Sequence, residues 1–533
     1  MPVNSEKETN ESSVNELSDP ASNSRNQSIL LLLLVVVVQF SRYFLDGNIG
    51  LSLMDEGYLW QGMDSVKAGL VPIRDFHAYD PGRYLWVAAW SFVFGDGLVA
   101  MRQSCVVFSI IGVFWGGLVC RRLSKSWVFL SAMVLILSIW MEPRFKAFEQ
   151  SISLMVIYVA TLLLEAPTRR RHFCSGIFVG ALAVFGRNHA VYAALSLLIL
   201  QSLLFLRDGK PQLRKFASWS GGVALGFLPY GASIALIPGL FNAYIGLLKK
   251  DIESGTNLLC PVPWPWKIAA TENVLLWSHQ FIVGLCFVAI ILNLLVGACW
   301  ITRKFARRED PLQSAVLVAA QAVLATYCHH AFSRPDLTHL SHVGAALTVG
   351  STALISAFCT KSPKIGLWLG TSFTALLTLL SIGMTMGITA IPFSRSAFPI
   401  ELDVRSDPMH VTRYHASLVV VGRYISENLM ANDENIAFIP HTPGLYPATN
   451  RICPLYQSYF ILPSSEAEQD ATIQQLNGKR VNWILLQDIA LDGRDDLRFG
   501  NTDKKVFKFI MQNFEPVLLE GMPPVTTLLK RKL

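Results

Sequence analysis

The chain alternates about eleven apolar runs, each roughly 16 to 25 residues long, with short polar connections. A run of about 20 apolar residues is what a helix needs to cross the hydrocarbon core of a bilayer. A segment in lipid must satisfy its own backbone polar groups, so each run is predicted to be helical. The runs fall at 29–45, 98–119, 127–142, 150–165, 173–186, 189–206, 216–238, 273–300, 312–330, 338–359 and 365–388. Soluble chains carry about 25% charged residues; this one carries 16%, against 52% hydrophobic, which excludes a string of soluble domains. The formal charge of +7 sits in short clusters between apolar runs, so it reads as loop charge and no nucleic-acid partner is expected.

If the N-terminus is cytoplasmic, the connections at 120–126, 166–172, 207–215, 302–311 and 360–364 face inward. They hold 16 Lys and Arg in 38 residues, whereas the five opposite connections hold 10 in 102. This asymmetry predicts a cytoplasmic N-terminus and an outer location for everything past about residue 391. The expected organisation is a disordered cytoplasmic tail over 1–27, a transmembrane region over 28–390, and an extracytoplasmic α/β domain over 391–533. The first apolar run lacks a small-residue cleavage site and is expected to be a retained helix. In the last region Glu434–Pro440 and Val481–Asp488 read as buried strands, and 411–431, 465–478 and 503–513 have helical spacing. Nine cysteines show no metal-binding spacing, and only Cys260 and Cys453 fall clearly outside the spans, where a bridge between them is an open alternative.

The first outer connection, 46–97, concentrates ionisable residues. Asp55 and Glu56 follow the first span closely, where a carboxylate is costly unless solvated, paired or used. They fit a cap on the following helix as well as a site. The stretch 58–68 spaces Leu59, Met63 and Val66 at helical intervals and is expected to lie in the interface plane, with Trp60 at a suitable depth. Arg74 and Asp75 suit a loop brace or a ligand contact. Arg187 with His189 suit a solvated turn or a site, and Arg334, Asp336 and His339 suit a salt bridge with a helix cap or a site. Tyr84, Trp86 and Trp90 read as interfacial aromatics. A second long connection, 239–272, contains the Pro-rich CPVPWPWK from Cys260, read as a rigid surface turn, with a stiff hinge or part of a lid as the alternatives.

Three phrases in the first connection belong together: Asp55–Glu56, then GLVPIRD over 69–75, then DPGRYLW over 80–86. They resemble the membrane glycosyltransferases that use polyprenyl-phosphate sugars, the family of protein O-mannosyltransferases and bacterial lipid A aminoarabinose transferases, whose fold is called GT-C. The likeness covers about 45 residues closely, and extends to the span layout and to PHTPGLYPATNRICP from Pro440. It departs at His77–Ala78–Tyr79, where many relatives have further aromatics. The resemblance implies an all-α polytopic membrane protein with a small C-terminal α/β extracytoplasmic domain. It further implies inverting transfer of a sugar from a polyprenyl-phosphate carrier to a lipid, glycan or protein acceptor, in the cytoplasmic (inner) membrane, at its outer face. Asp55 matches the family's base, with Glu56 orienting the loop or sharing the site, and no metal is required.

Chemistry supports the same division of labour. A lipid phosphate is already a good leaving group, so one base suffices, in contrast to the carboxyl pair of glycoside hydrolysis. A positioned base contributes about 100- to 10,000-fold. The departing phosphate needs fixed positive charge, for which arginine is suited. The outer connections offer Arg74, His77 and Arg83, then Arg187 and His189, then Arg334, Asp336 and His339. A divalent ion held by Asp55, Asp75, His77 and Asp80 is the alternative to a metal-free site. The rival class, a transporter or flippase of lipid-linked intermediates, would bury ionisable groups near the midplane and show paired broken spans; the sequence shows neither.

Overall fold

A computed structural model describes residues 20–254, 260–359, 361–385, 397–431 and 433–532. Each apolar run forms a helix: α1 Pro20–Asp46, α4 Leu98–Leu123, α5 Trp127–Ile139, α6 Ala147–Glu165, α7 Arg169–Leu182, α8 Arg187–Asp208, α9 Leu213–Leu236, α11 Val274–Ala306, α12 Ala315–Ser333, α13 Leu337–Phe358 and α14 Pro363–Thr385. Three more sit between them: α2 Asp55–Lys67, α3 Pro81–Phe94 and α10 Leu240–Ser254. The chain is a polytopic helical membrane protein carrying a small C-terminal sheet domain.

The sequence predicts about eleven spans. Among the described residues eight helices are long and apolar enough to cross a membrane, or nine if α9 and α10, bent by 111°, count as one. Helix α5 has 13 residues and α7 has 14. At 1.5 Å per residue each covers about 20 Å of a core roughly 30 Å thick. A turn at Trp140–Met141 ends α5 short of its apolar run, and three arginines occupy the start of α7, which leaves fewer apolar residues in that helix.

Helices α7 and α9 run side by side at very close range. A Cβ on Gly176 would lie 2.1 Å from the Trp219 carbonyl oxygen, one on Gly180 2.2 Å from that of Val223, and one on Gly226 2.1 Å from that of Ile177. Glycines four apart on both helices thus let two backbones touch, the small-residue packing that substitutes for hydrophobic drive in lipid. Elsewhere amides tie helices together: Gln321 donates to Asn293 at 2.6 Å and Asn293 to Ser351 at 2.7 Å.

In the C-terminal part, β3 Asn435–Ile439 and β4 Val481–Gln487 pair in parallel, and the helix Glu466–Gly478 makes the crossover. The sheet order is β3-β4-β6-β5, with β5 Phe514–Val517 and β6 Thr526–Arg531 antiparallel; a separate hairpin joins β1 Ile400–Val404 to β2 Asp407–Val411.

Three further expectations change. Residues 20–27 of the tail belong to α1 instead of being disordered, and 1–19 lie outside the described residues. The connection 239–272 is largely helical at its start, through α10. Cys260 and Cys453 are free thiols. Helix α2 is enclosed by protein, with every residue from Glu56 to Ser65 buried. The C-terminal part covers it: a Cβ on Gly57 would come within 2.5 Å of Gly444 Cα, and Gly444 N–H donates to the Leu53 carbonyl at 2.9 Å.

Candidate active site

The acidic pair splits into two environments. Glu56 faces inward and forms a bidentate pair with Arg102, Nε to Oε1 at 2.8 Å and Nη2 to Oε2 at 2.7 Å. Both residues are almost fully buried, and Arg102 also donates to the Gly47 and Gly50 carbonyls at 2.8 and 2.7 Å. Burial works against the Glu56 carboxylate, but the guanidinium wins and holds it below the usual range. Glu56 therefore anchors the loop. Asp55, half-buried at the first position of α2, points the other way and accepts from the Tyr459 hydroxyl at 3.1 Å. Burial, then the Asp55 charge, pushes the Tyr459 phenol well above its ordinary value, so Tyr459 is the donor and Asp55 the acceptor. No side-chain cap bond forms at Met54, and Asp55 lies in the first turn of α2.

Around this pair the aromatics of the loop form a wall. Tyr58 lies 5.3 Å from Tyr79 and 5.5 Å from Tyr459 between ring centroids. His77 is part of the wall: its ring Nδ1 meets the Tyr58 hydroxyl at 2.7 Å and its backbone N–H donates to the Tyr456 carbonyl at 2.8 Å. Burial pushes its imidazole down to about 4, so it is neutral near pH 7.

Each arginine proposed from sequence already carries a carboxylate. Arg74 grips Asp75 at 2.7 and 2.8 Å and donates to the Pro238 carbonyl at 3.3 Å, bracing the loop against the α9–α10 bend. Arg83 pairs with Glu149 at 3.0 Å, both buried, and lies 5.6 Å from the Tyr79 ring. Arg187 bridges Asp80 and Asp251, each at 3.2 Å. Arg334 bridges Asp336 and Asp492, each at 2.8 Å, and thereby links the helices to the C-terminal part. Asp336 in turn caps α13 by accepting from the His339 backbone N–H at 2.8 Å and meets His339 Nδ1 at 2.8 Å. His189 packs 5.6 Å from Tyr327 and 6.0 Å from His330. The set Asp55, Asp75, His77 and Asp80 is not gathered: among the described residues no group of three or more His, Cys, Asp or Glu is placed to hold a metal ion.

The sequence reading passed over Arg102, Glu149, Lys146, Tyr459, His330 and His342. Arg102 and Glu149 had a signal, being charges in or beside apolar runs, which by default mark a role. Tyr459 had none, since only the docking of the C-terminal part brings it to α2. Beside the loop lies an apolar cavity of about 400 Å³ lined by Pro72, Leu85, Val184, Pro229, Tyr230 and Ile237 among others.

No family model and no curated protein matches the sequence. Among solved structures the chain is similar to ArnT from Cupriavidus metallidurans bound to undecaprenyl phosphate, at 12% identity and a TM-score of 0.46, covering 95% of this chain and 98% of that one. It is also similar to the archaeal oligosaccharyltransferase AglB from Archaeoglobus fulgidus in complex with an inhibitory peptide and a dolichol-phosphate, at 12% identity and a TM-score of 0.40, covering 86% of this chain and 69% of that one. These neighbours are GT-C membrane glycosyltransferases.

Proposed function

We propose that the protein moves one sugar from a polyprenyl-phosphate carrier to an acceptor hydroxyl, with inversion, at the outer face of the cytoplasmic membrane. The observation that carries this reading is the Asp55 carboxylate, held as an acceptor by Tyr459 at 3.1 Å at the amide end of α2, while its neighbour Glu56 is fully engaged by Arg102. The loop phrases around 55–86 supply the family likeness, and the loop charge supplies the orientation.

In the proposed step Asp55 takes the proton from the acceptor hydroxyl as its oxygen attacks the anomeric carbon. The bond from that carbon to the phosphate oxygen breaks, and its electron pair leaves with the lipid phosphate. One displacement inverts the centre. Tyr459 orients the base, and the 400 Å³ apolar cavity beside the loop suits an isoprenoid or acyl chain. The acceptor is a lipid, glycan or protein hydroxyl.

The test is Asp55→Asn in purified protein supplied with undecaprenyl-phosphate-linked sugars and candidate acceptors. Turnover is expected to fall at least about 100-fold with the fold intact. Wild-type turnover by the variant removes Asp55 from the mechanism.

A further inference from the structure

Because every arginine near the cleft is already paired, the charge that receives the leaving phosphate must be sought elsewhere. Lys146 ends the turn Arg144–Lys146 that leads into α6, and among the described residues it has no carboxylate within 4.0 Å. Its ammonium instead lies 5.4 Å from the ring of Tyr79, on the wall shared with Asp55. Within reach of its charge is a group of imidazoles from three helices. His330 on α12 lies 4.5 Å from His342 and 5.6 Å from His339 on α13, and 6.0 Å from His189 on α8. His342 is 1% exposed, yet neither of its ring nitrogens has a hydrogen-bond partner among the described residues; the same holds for His189 Nδ1 and for the Tyr327 hydroxyl.

Buried polar atoms without partners are rare and costly, so a cluster of them calls for a reason. Four adjacent imidazoles cannot all be charged, but a neutral imidazole still presents one N–H. A ring of such donors beside one fixed ammonium suits a ligand with several acceptor oxygens and one negative charge. His342 sits more than one turn into α13, about 8 Å along the helix from its start.

We propose that Lys146, His330 and His342 form the subsite for the phosphate of the lipid donor, the ammonium supplying the charge and the imidazoles supplying N–H donors, while the paired arginines shape the cleft. This rests on the glycosyl-transfer reading above. As the anomeric carbon–oxygen bond breaks, the phosphate gains a second negative charge. Donors fixed before that moment stabilise the product state without reorganisation.

Binding is measured on the full-length protein in lipid nanodiscs with three probes: undecaprenyl phosphate, undecaprenol and inorganic phosphate. Undecaprenyl phosphate should bind wild type at least ten-fold more tightly than it binds Lys146→Met, and several-fold more tightly than it binds His342→Leu. Lys146→Arg should retain affinity, which guards against a folding defect in Lys146→Met. Undecaprenol should bind all variants alike. Equal affinity of wild type and Lys146→Met for the lipid phosphate overturns the assignment. So does inorganic phosphate that competes as strongly as the lipid, since the site would then read free phosphate. Asp55→Asn should bind undecaprenyl phosphate as wild type does. Lys146-dependent binding in a protein that transfers no sugar would therefore sink the proposed function and leave the subsite standing.

Discussion

At the residue scale, the acidic loop shows how neighbours decide what a titratable group does. His77 is held neutral by burial, with the Lys250 charge acting in the same direction, its imidazole pushed from 6.5 down to about 4. The folded state then binds fewer protons than the unfolded chain between those values. The stability this contributes is complete above about pH 6.5 and is lost as pH falls toward 4. The shift corresponds to about 3 kcal/mol. Unfolding midpoints of wild type and His77→Gln in detergent should therefore diverge, with wild type losing more stability than the variant between pH 7 and pH 4.5. Parallel pH profiles would show that the imidazole is solvated. None of this was legible beforehand. The sequence placed His77 among candidate phosphate contacts because an imidazole beside arginines suggests a ligand, and only the tyrosines gathered around it reveal a brace.

At the scale of elements, the apolar runs were legible because lipid leaves few choices for backbone hydrogen bonds, and each run is a helix. Helix length was not, since a run of apolar residues does not record where a turn interrupts it, as at Trp140. In the C-terminal part the two buried strands β3 and β4 were readable from continuous apolar residues. The hairpin Ile400–Val411 and strands β5 and β6 alternate with charge and proline and carry weaker patterns. The glycine contact between α7 and α9 is the element most open to test. Gly226→Val places a side chain against the Ile177 backbone, which cannot give way as a side-chain tip would, whereas Gly221→Ala meets nothing within 4 Å. Overpacking of this kind costs about 1–3 kcal/mol or more. Gly226→Val should lower the yield of monodisperse protein in size-exclusion chromatography and depress its unfolding midpoint, with Gly221→Ala close to wild type. Equal behaviour of the two would mean the helices do not touch there.

At the scale of the whole molecule, the C-terminal part is a structural component of the site. It reaches α2 through Gly444 on Gly57, through Ser458 on Gln61 at 3.1 Å, and through Arg405 on Asp64. Lys250 of α10 holds Glu468 at 2.6 Å, and Arg334 holds Asp492. The sequence showed a soluble-looking tail on the far side of the last span, but contacts between residues hundreds of positions apart leave no local pattern to read. Gly57→Val pushes into the Gly444 backbone and should loosen this docking. Limited proteolysis is expected to release the C-terminal part from the variant faster than from wild type, with loss of transfer. Unchanged cleavage and activity would show that α2 does not depend on its cover.

Tyr459 lies 404 residues beyond the carboxylate it orients. At the roughly 5–20 residues per second of translation, about 20–80 s separate the synthesis of the two. The helices from α4 to α14 are made within that interval, with α2 uncovered and Asp55 without its Tyr459 partner until the C-terminal part docks. On the proposed reaction, a ribosome that stalls before the last hundred codons leaves a chain without the Tyr459 partner of Asp55, and transfer waits until the final domain has left the exit tunnel and docked.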